Sequence, residues 1–176
     1  LMKIRNAKLT DIAGIAKVQV DSWRTTYRNI IPNDYLSTLS YKKSEERWAK
    51  IIPHSIVMVA EHNNGEIVGF ISGGKERTGN YPDYSGELYA IYILQEYQKN
   101  SIGKKLVEAL VYEFLEREIS SMTVFVLEEN PSRHFYEKLG GKYVDTVVDE
   151  VGGKTVNELV YGWKDIRSII QEKNAK

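Results

Sequence analysis

The stretch Gln98-Lys99-Asn100-Ser101-Ile102-Gly103-Lys104 sets an amide side chain, small residues and cations where a strand pattern gives way to a helix pattern. Backbone N–H groups that open a helix lack partners within it, and with the helix dipole they favour an anion. Lys99, Lys104 and Lys105 add positive charge, so the segment reads as a cradle for a phosphate or pyrophosphate. Taken alone it serves equally well as an ordinary helix start. A second cluster lies about 30 residues on, in Asn130-Pro131-Ser132-Arg133-His134-Phe135-Tyr136, followed by Gly140-Gly141. It offers an amide, a guanidinium and a phenol, and a phenol with pKa ~10 still holds its proton at neutral pH. The chain has no cysteine, which excludes thiolate nucleophiles, disulfides and Cys-ligated zinc. There is no Gly-x-Ser-x-Gly elbow. His54, His62 and His134 lack metal-ligand spacing, so no metal is predicted.

Hydrophobic periodicity supplies the elements that must hold these residues. Met2–Asn6 alternates as a short strand. Thr10 then reads as the N-cap of a helix in which Ile12, Ile15, Ala16, Gln19 and Trp23 share a face, running to about Tyr27. A second helical region covers Asn33–Leu39 and Tyr41–Ile51 and ends at Pro53. Ser55–Glu61 and Glu66–Lys75 form a hairpin around His62-Asn63-Asn64-Gly65, and Glu76–Ser85 reads as a loop. Gly86–Ile93 is the strand leading to the cradle. The helix after it, about Ile102 to Arg117, sets Leu106, Ala109, Leu110, Tyr112 and Phe114 near an apolar face. Met122–Leu127 is a strand, Pro131 opens a short helix ended by Gly140-Gly141, and Tyr143–Val151 pairs with Lys154–Trp163 around Gly152-Gly153. Residues 164–176 are predicted as a C-terminal helix and tail. The order β-α-α-β-β-β-α-β-α-β-β argues an α+β fold, a mixed central sheet with helices on both faces.

Composition sets bounds. The chain of 176 residues carries 24 Lys+Arg against 24 Asp+Glu, a formal net charge of zero. That length fits one domain. The balance offers no basic footprint for nucleic acid and no general attraction to anionic membranes. No apolar run approaches the ~20 residues of a membrane span. Leu1–Thr10 has no apolar core of a secretory signal, which predicts a cytoplasmic location.

The two clusters together, in this order of elements, resemble the GNAT superfamily of N-acetyltransferases. The family pattern after its central strand is Gln or Arg, two residues, Gly, one residue, then Gly or Ala. Gln98 and Gly103 match it, while Ser101 stands in place of the first glycine. The Asn130–Tyr143 segment is similar to the family's strand-end Asn, its Phe-Tyr helix and the glycine and aromatic that follow. The resemblance implies acetyl-CoA (coenzyme A) as co-substrate. Gln98, Lys99, Asn100, Ser101, Ile102, Gly103 and Lys104 would hold the pyrophosphate. The strand backbone at Ile91, Tyr92 and Ile93 would bond the pantetheine arm, helped by Asn130, with Arg133 towards the phosphates. Asn130 also reads as a cap before Pro131, and Arg133 as a solvated helix residue.

Acyl transfer from a thioester to an amine must take a proton from the amine. For a lysine-like amine of pKa ~10.4 that costs roughly 4.6 kcal/mol at pH 7. The resemblance implies Glu87 as the base and Tyr136 as the acid towards the departing thiolate, with direct attack by the amine. The other reading of Glu87 is a solvated edge carboxylate; Phe135 is assigned to the core. Trp23, Tyr27, Tyr81 and Tyr84 are candidate acceptor-binding residues, since aromatic walls beside carboxylates suit a cationic amine. The leading acceptor is a primary amine of a small molecule; the alternatives are a protein N-terminus or lysine, or a non-catalytic acyl-CoA sensor. The C-terminal hairpin is of a kind that pairs between subunits in some relatives, so the resemblance admits a homodimer.

Overall fold

The computed structural model describes residues 2–171. Its strands are β1 Met2–Asn6, β2 Ile56–His62, β3 Ile67–Lys75, β4 Gly86–Ile93, β5 Met122–Leu127, β6 Lys142–Val151 and β7 Lys154–Trp163. Its helices are α1 Ile12–Thr26, α2 Asn33–Thr38, α3 Tyr41–Ile51, α4 Ile102–Glu116, α5 Arg133–Lys138 and α6 Arg167–Gln171. The strands form one mixed sheet in the order β1-β2-β3-β4-β5-β7-β6, with β4 and β5 parallel. This is the α+β architecture read from the sequence. The last five residues of the predicted tail, 172–176, lie outside the described residues. The described chain gathers into two compact units: residues up to Gly73 with Ala90–Leu110, and Gly74–Tyr89 with residues from Val111 on.

In the first unit a β-bulge decides which helix meets which face. Ala60 pairs with Gly69 but Glu61 pairs with Ile67, so Val68 is an extra residue. Cross-strand partners share a face and successive residues alternate, so Ile67 and Gly69 look to opposite sides. Ile67 packs against Gly14 of α1, where an added Cβ would sit 2.8 Å from the Ile67 Cβ. Gly69 faces α4, where its Cβ would lie 3.5 Å from Leu106. Helices thus cover both faces. Gln19 of α1 ties down α3, its Oε1 accepting from Ser44 Oγ at 2.7 Å and Trp48 Nε1 at 2.6 Å. Trp48 is buried and meets Phe70 edge-on at 5.0 Å.

Three local expectations need correction. The start of α1 is set by Asp11 rather than Thr10, after a 3-10 turn over Leu9–Asp11. The Asp11 carboxylate accepts from Lys8 N–H at 2.7 Å and from both Arg5 terminal nitrogens at 2.8 and 2.9 Å. That carboxylate makes no capping bond to α1; its charge-assisted bonds fix the turn that leads into the helix. The second helical region breaks into α2 and α3 at Leu39, which is extended, and Ser40 caps α3 by accepting Lys43 N–H at 3.1 Å. On α4, Tyr112 is exposed; the buried stripe is Ile102, Leu106, Val107, Leu110, Val111 and Phe114. Tyr112 lies six residues past Leu106, about 240° round the helix and off that stripe.

In the second unit β5 pairs antiparallel with β7, and β7 with β6. The β6–β7 turn uses Gly152 and Gly153 at φ 58° and 82°, the left-handed pair a two-residue hairpin needs. The β4–β5 ladder is short, pairing Gly86 with Met122, Glu87 with Thr123 and Leu88 with Val124.

Candidate functional site

The cradle segment follows β4 directly. A 3-10 turn over Gln95–Tyr97 ends at Gln98, and Lys105 N–H bonds back to Ser101 O at 3.1 Å as α4 begins. The amides of Ile102, Gly103 and Lys104 precede that first helical bond, so they open out of the helix start. Lys99 and Ser101 both have left-handed backbones, at φ 69° and 64°. Left-handed backbones in a turn re-aim its N–H groups, as anion-binding nests do. Ser101 thus takes the backbone geometry that the family's glycine would supply freely. The residues present fit a pyrophosphate: the three amides of a helix N-terminus, with Lys99, Lys104 and Lys105 near them in the chain.

Gln98 also fixes the strand end. Its Nε2 donates to Ile93 O at 3.0 Å, and Ser22 Oγ reaches the same carbonyl at 3.4 Å. Leu94 N–H bonds Val68 O at 2.9 Å, so Leu94 faces β3 through its amide. By strand alternation the peptide groups of Ile93 and Ile91 point away from β3, and those of Tyr92 towards it. Trp23, Tyr27 and Tyr35 form an aromatic cluster in this first unit, with Trp23 4.7 Å from Tyr27 and 6.5 Å from Tyr35.

The second unit holds Glu87. Gly86 leaves room for Phe114 and Ile119, so its neighbour Glu87 turns to the other face of β4. Glu87 is 2% exposed, not solvated, and it is held by Arg77. Arg77 N–H and Nε donate to Oε1 at 3.1 and 3.3 Å, and Nη2 to Oε2 at 2.7 Å. The guanidinium lies 4.1 Å from the Tyr89 ring centre, and the Tyr89 hydroxyl donates to Lys75 O at 2.6 Å. The Glu87 hydrogen bond raises the Arg77 pKa, and burial raises that of Tyr89.

Register extends this face across the sheet. Glu87 pairs with Thr123, Thr123 with Gly162, Phe125 with Val160, and Leu127 with Glu158. The Thr123 hydroxyl is buried and has no hydrogen-bond partner among the described residues. The Glu76–Ser85 loop lays tyrosines on the same face. Tyr81 stands edge-on to Phe125 at 5.8 Å and donates to Asp145 at 2.8 Å; burial first, then Asp145, push its pKa up to about 12. Tyr84 packs on Gly162, where any Cβ would come within 2.6 Å of the ring.

Sequence reasoning missed Glu158 and Arg77. Glu158 is half-buried on β7 opposite Val147, with Asp149 two residues further on β6. Burial first, then the hydrogen bond and negative charge of Asp149, lift its pKa to about 7. The available signal was a lone acid within the apolar run Glu158–Trp163.

Tyr136 is 5% exposed on α5, while Phe135, assigned to the core, is only half-buried. Tyr136 sits 6.4 Å from Trp163, and Trp163 Nε1 donates to Leu139 O at 3.0 Å. Tyr161 donates to Glu137 at 2.7 Å, a second tie between α5 and β7. Asn130 is buried, and its Oδ1 accepts Ser132 N–H at 2.9 Å; α5 starts at Arg133, two residues past Pro131. Arg133 is half-buried. Among the described residues no group of three or more His, Asp and Glu side chains lies so as to hold a metal, and no helix is long and apolar enough to cross a membrane.

Comparison with known proteins agrees with this fold. The model of the acetyltransferase (GNAT) family matches residues 19–141. An uncharacterised N-acetyltransferase of Bacillus subtilis, YuaI, is 42% identical over 96% of each chain. A spermidine N(1)-acetyltransferase of Thermoplasma acidophilum is 26% identical, covering 82% of this chain and 91% of its own. The crystal structure of the PaiA N-acetyltransferase from Thermoplasma acidophilum, in complex with coenzyme A, superposes with a TM-score of 0.74. It is 23% identical and covers 90% of this chain and 98% of its own.

Proposed function

Because this chain belongs to the GNAT family of acetyltransferases, we propose that it moves an acetyl group from acetyl-CoA to a primary amine of a small molecule. The observation that carries the donor half is the cradle, with left-handed Lys99 and Ser101 leading into the free amides of α4. Those amides and Lys104 bind the pyrophosphate. The peptide groups of Ile91 and Ile93, turned away from β3, bond the pantetheine arm, with Asn130 assisting. The family match takes in parts of both compact units, which supports reading them as one catalytic domain.

The proton steps fall to this chain's own side chains. Glu87, directly or through a water, takes the ammonium proton, which lowers a barrier of roughly 4.6 kcal/mol at pH 7 for a lysine-like amine. Tyr136 gives its phenolic proton to the departing thiolate and recovers one from solvent. With no cysteine in the chain, no acetyl-cysteine forms, and the amine attacks the thioester directly.

Support for a small cationic acceptor comes from the face bearing Glu87, where Tyr81, Tyr84 and Tyr89 lie among Glu87, Asp145 and Glu158. Trp23 and Tyr27 are proposed as a further aromatic wall for the acceptor. The likeness to a spermidine acetyltransferase points to the same class of amine. Calorimetry with acetyl-CoA tests the donor half: absence of binding up to low-millimolar concentration removes the cradle assignment. Thiol release across a panel of polyamines, amino acids, aminoglycosides and lysine peptides tests the acceptor. Turnover on small polyamines is expected; turnover on the peptides alone would overturn the small-amine reading.

A further inference from the structure

The Glu87 carboxylate, 2% exposed, is costly to bury unpaired, and here its partner is a guanidinium whose side chain is 60% exposed. Arg77 spends its backbone N–H, Nε and Nη2 on Glu87. Its plane rests on Tyr89, and Tyr89 in turn is pinned to Lys75 O. Gly74 makes that stack fit, since a Cβ there would come within 2.7 Å of the Tyr89 hydroxyl. Glu87 is therefore held by a fork of fixed direction that occupies both lone-pair sites of Oε1 and one of Oε2, leaving the second site of Oε2 aimed elsewhere.

We propose that Arg77 is the positioning residue of the acetyl-transfer reaction: its fork fixes the direction of the Glu87 carboxylate. This rests on Glu87 being the base. The fork holds the carboxylate to one orientation, so its loss lowers the rate by misplacing the group that receives the proton. Glu158 lies on the same face of the sheet, where the charges of Glu87 and Arg77 act on it in opposite senses.

The test compares R77Q, R77K, E87Q and the double variant R77Q/E87Q in the full chain. Readouts are kcat/KM for the best amine from pH 5 to 9, calorimetric binding of acetyl-CoA, and thermal unfolding. R77Q is expected to lower the plateau of the profile about tenfold, with acetyl-CoA binding unchanged. R77K should recover only part of that loss, because lysine restores charge without the fork. Where R77Q is too unstable to assay, R77K carries the test, with its plateau lowered by less than about tenfold. In the double variant the loss of Arg77 should add nothing to E87Q. A plateau identical to wild type in both Arg77 variants, with E87Q impaired, overturns the positioning role alone. E87Q with wild-type rate and profile overturns the base assignment and this proposal with it. Weakened acetyl-CoA binding, or an equal loss from R77Q with and without Glu87, also refutes it, since Arg77 would then act on something other than the carboxylate.

Discussion

Ser101 offers the sharpest test of the cradle, because its backbone stands at φ 64° without being glycine. For an L-residue the left-handed region costs roughly 1–2 kcal/mol, from the close approach of Cβ to the carbonyl oxygen. Ser101→Gly removes that strain. It also returns about 0.5–1 kcal/mol of conformational freedom to the unfolded chain, which works against the fold. The balance is a net stabilisation of roughly 0.5–1 kcal/mol, or about 1–4 °C in Tm for a chain of this size. Ser101→Val, whose branched Cβ tolerates this region worst, should lose at least 2 kcal/mol relative to the glycine variant. If the loop already holds its binding geometry without ligand, the glycine variant should bind acetyl-CoA within about threefold of wild type, and the valine variant about tenfold or more weakly. Differential scanning calorimetry with and without coenzyme A, plus isothermal titration, gives both quantities. A glycine variant less stable than wild type, together with a valine variant that binds normally, would refute both the strained geometry and its place in the cradle.

Tyr136→Phe should cut kcat about 10²-fold while acetyl-CoA affinity stays near wild type; unchanged turnover would remove the acid role. Glu158 has a raised folded-state pKa, about 7 against 4.5. The fold therefore binds its proton more tightly than the unfolded chain, and stability falls as pH rises from about 4.5 to 7. Glu158→Gln should match wild type near pH 4.5 and exceed it in Tm above pH 7, in urea or thermal melts run across that range. Asp11 behaves oppositely: its pKa is lowered, chiefly by Arg5, so the stability it lends is lost as pH falls through its folded value. Asp11→Asn should lower Tm at neutral pH and lose that deficit in acid. Gly162→Ala should push the Tyr84 ring off the sheet and raise KM for the amine more than for acetyl-CoA, read from initial rates.

What the sequence displayed and what it hid divide along the range of the interaction. The cradle segment is contiguous, a strand, a turn and a helix start within about twenty residues, so residue type and order were enough to predict those elements. Even its odd member was visible, since a serine at a glycine position has to carry the glycine's backbone angle. The stripe on α4 and the faces of the hairpins follow from period alone. Tyr112 shows the limit of that method, because an apolar residue counted by proximity rather than by angle lands on the wrong side. The bulge at Val68 is harder still, since one extra residue reverses the face of everything beyond it without changing composition.

The pairings that give Glu87 its character were invisible for a different reason. Arg77 reaches it across the Glu76–Ser85 loop, which has no period to register the two side chains. Glu158 and Asp149 meet diagonally across a hairpin, where either alone reads as a solvated strand residue. Tyr81 finds Asp145 at a separation of 64 positions. Each of these contacts has at least one half-buried or buried member, and burial is what gives it consequence. At the surface the Arg77–Glu87 pair would be worth little; with the carboxylate 2% exposed, loss of the guanidinium leaves a charge with nowhere to be solvated. A buried carboxylate needs a fixed counter-charge and a loop that can carry that charge to it. Residues 76–85 supply both, so a segment that reads as a mere connection in the sequence brings the partner of the strand that follows it.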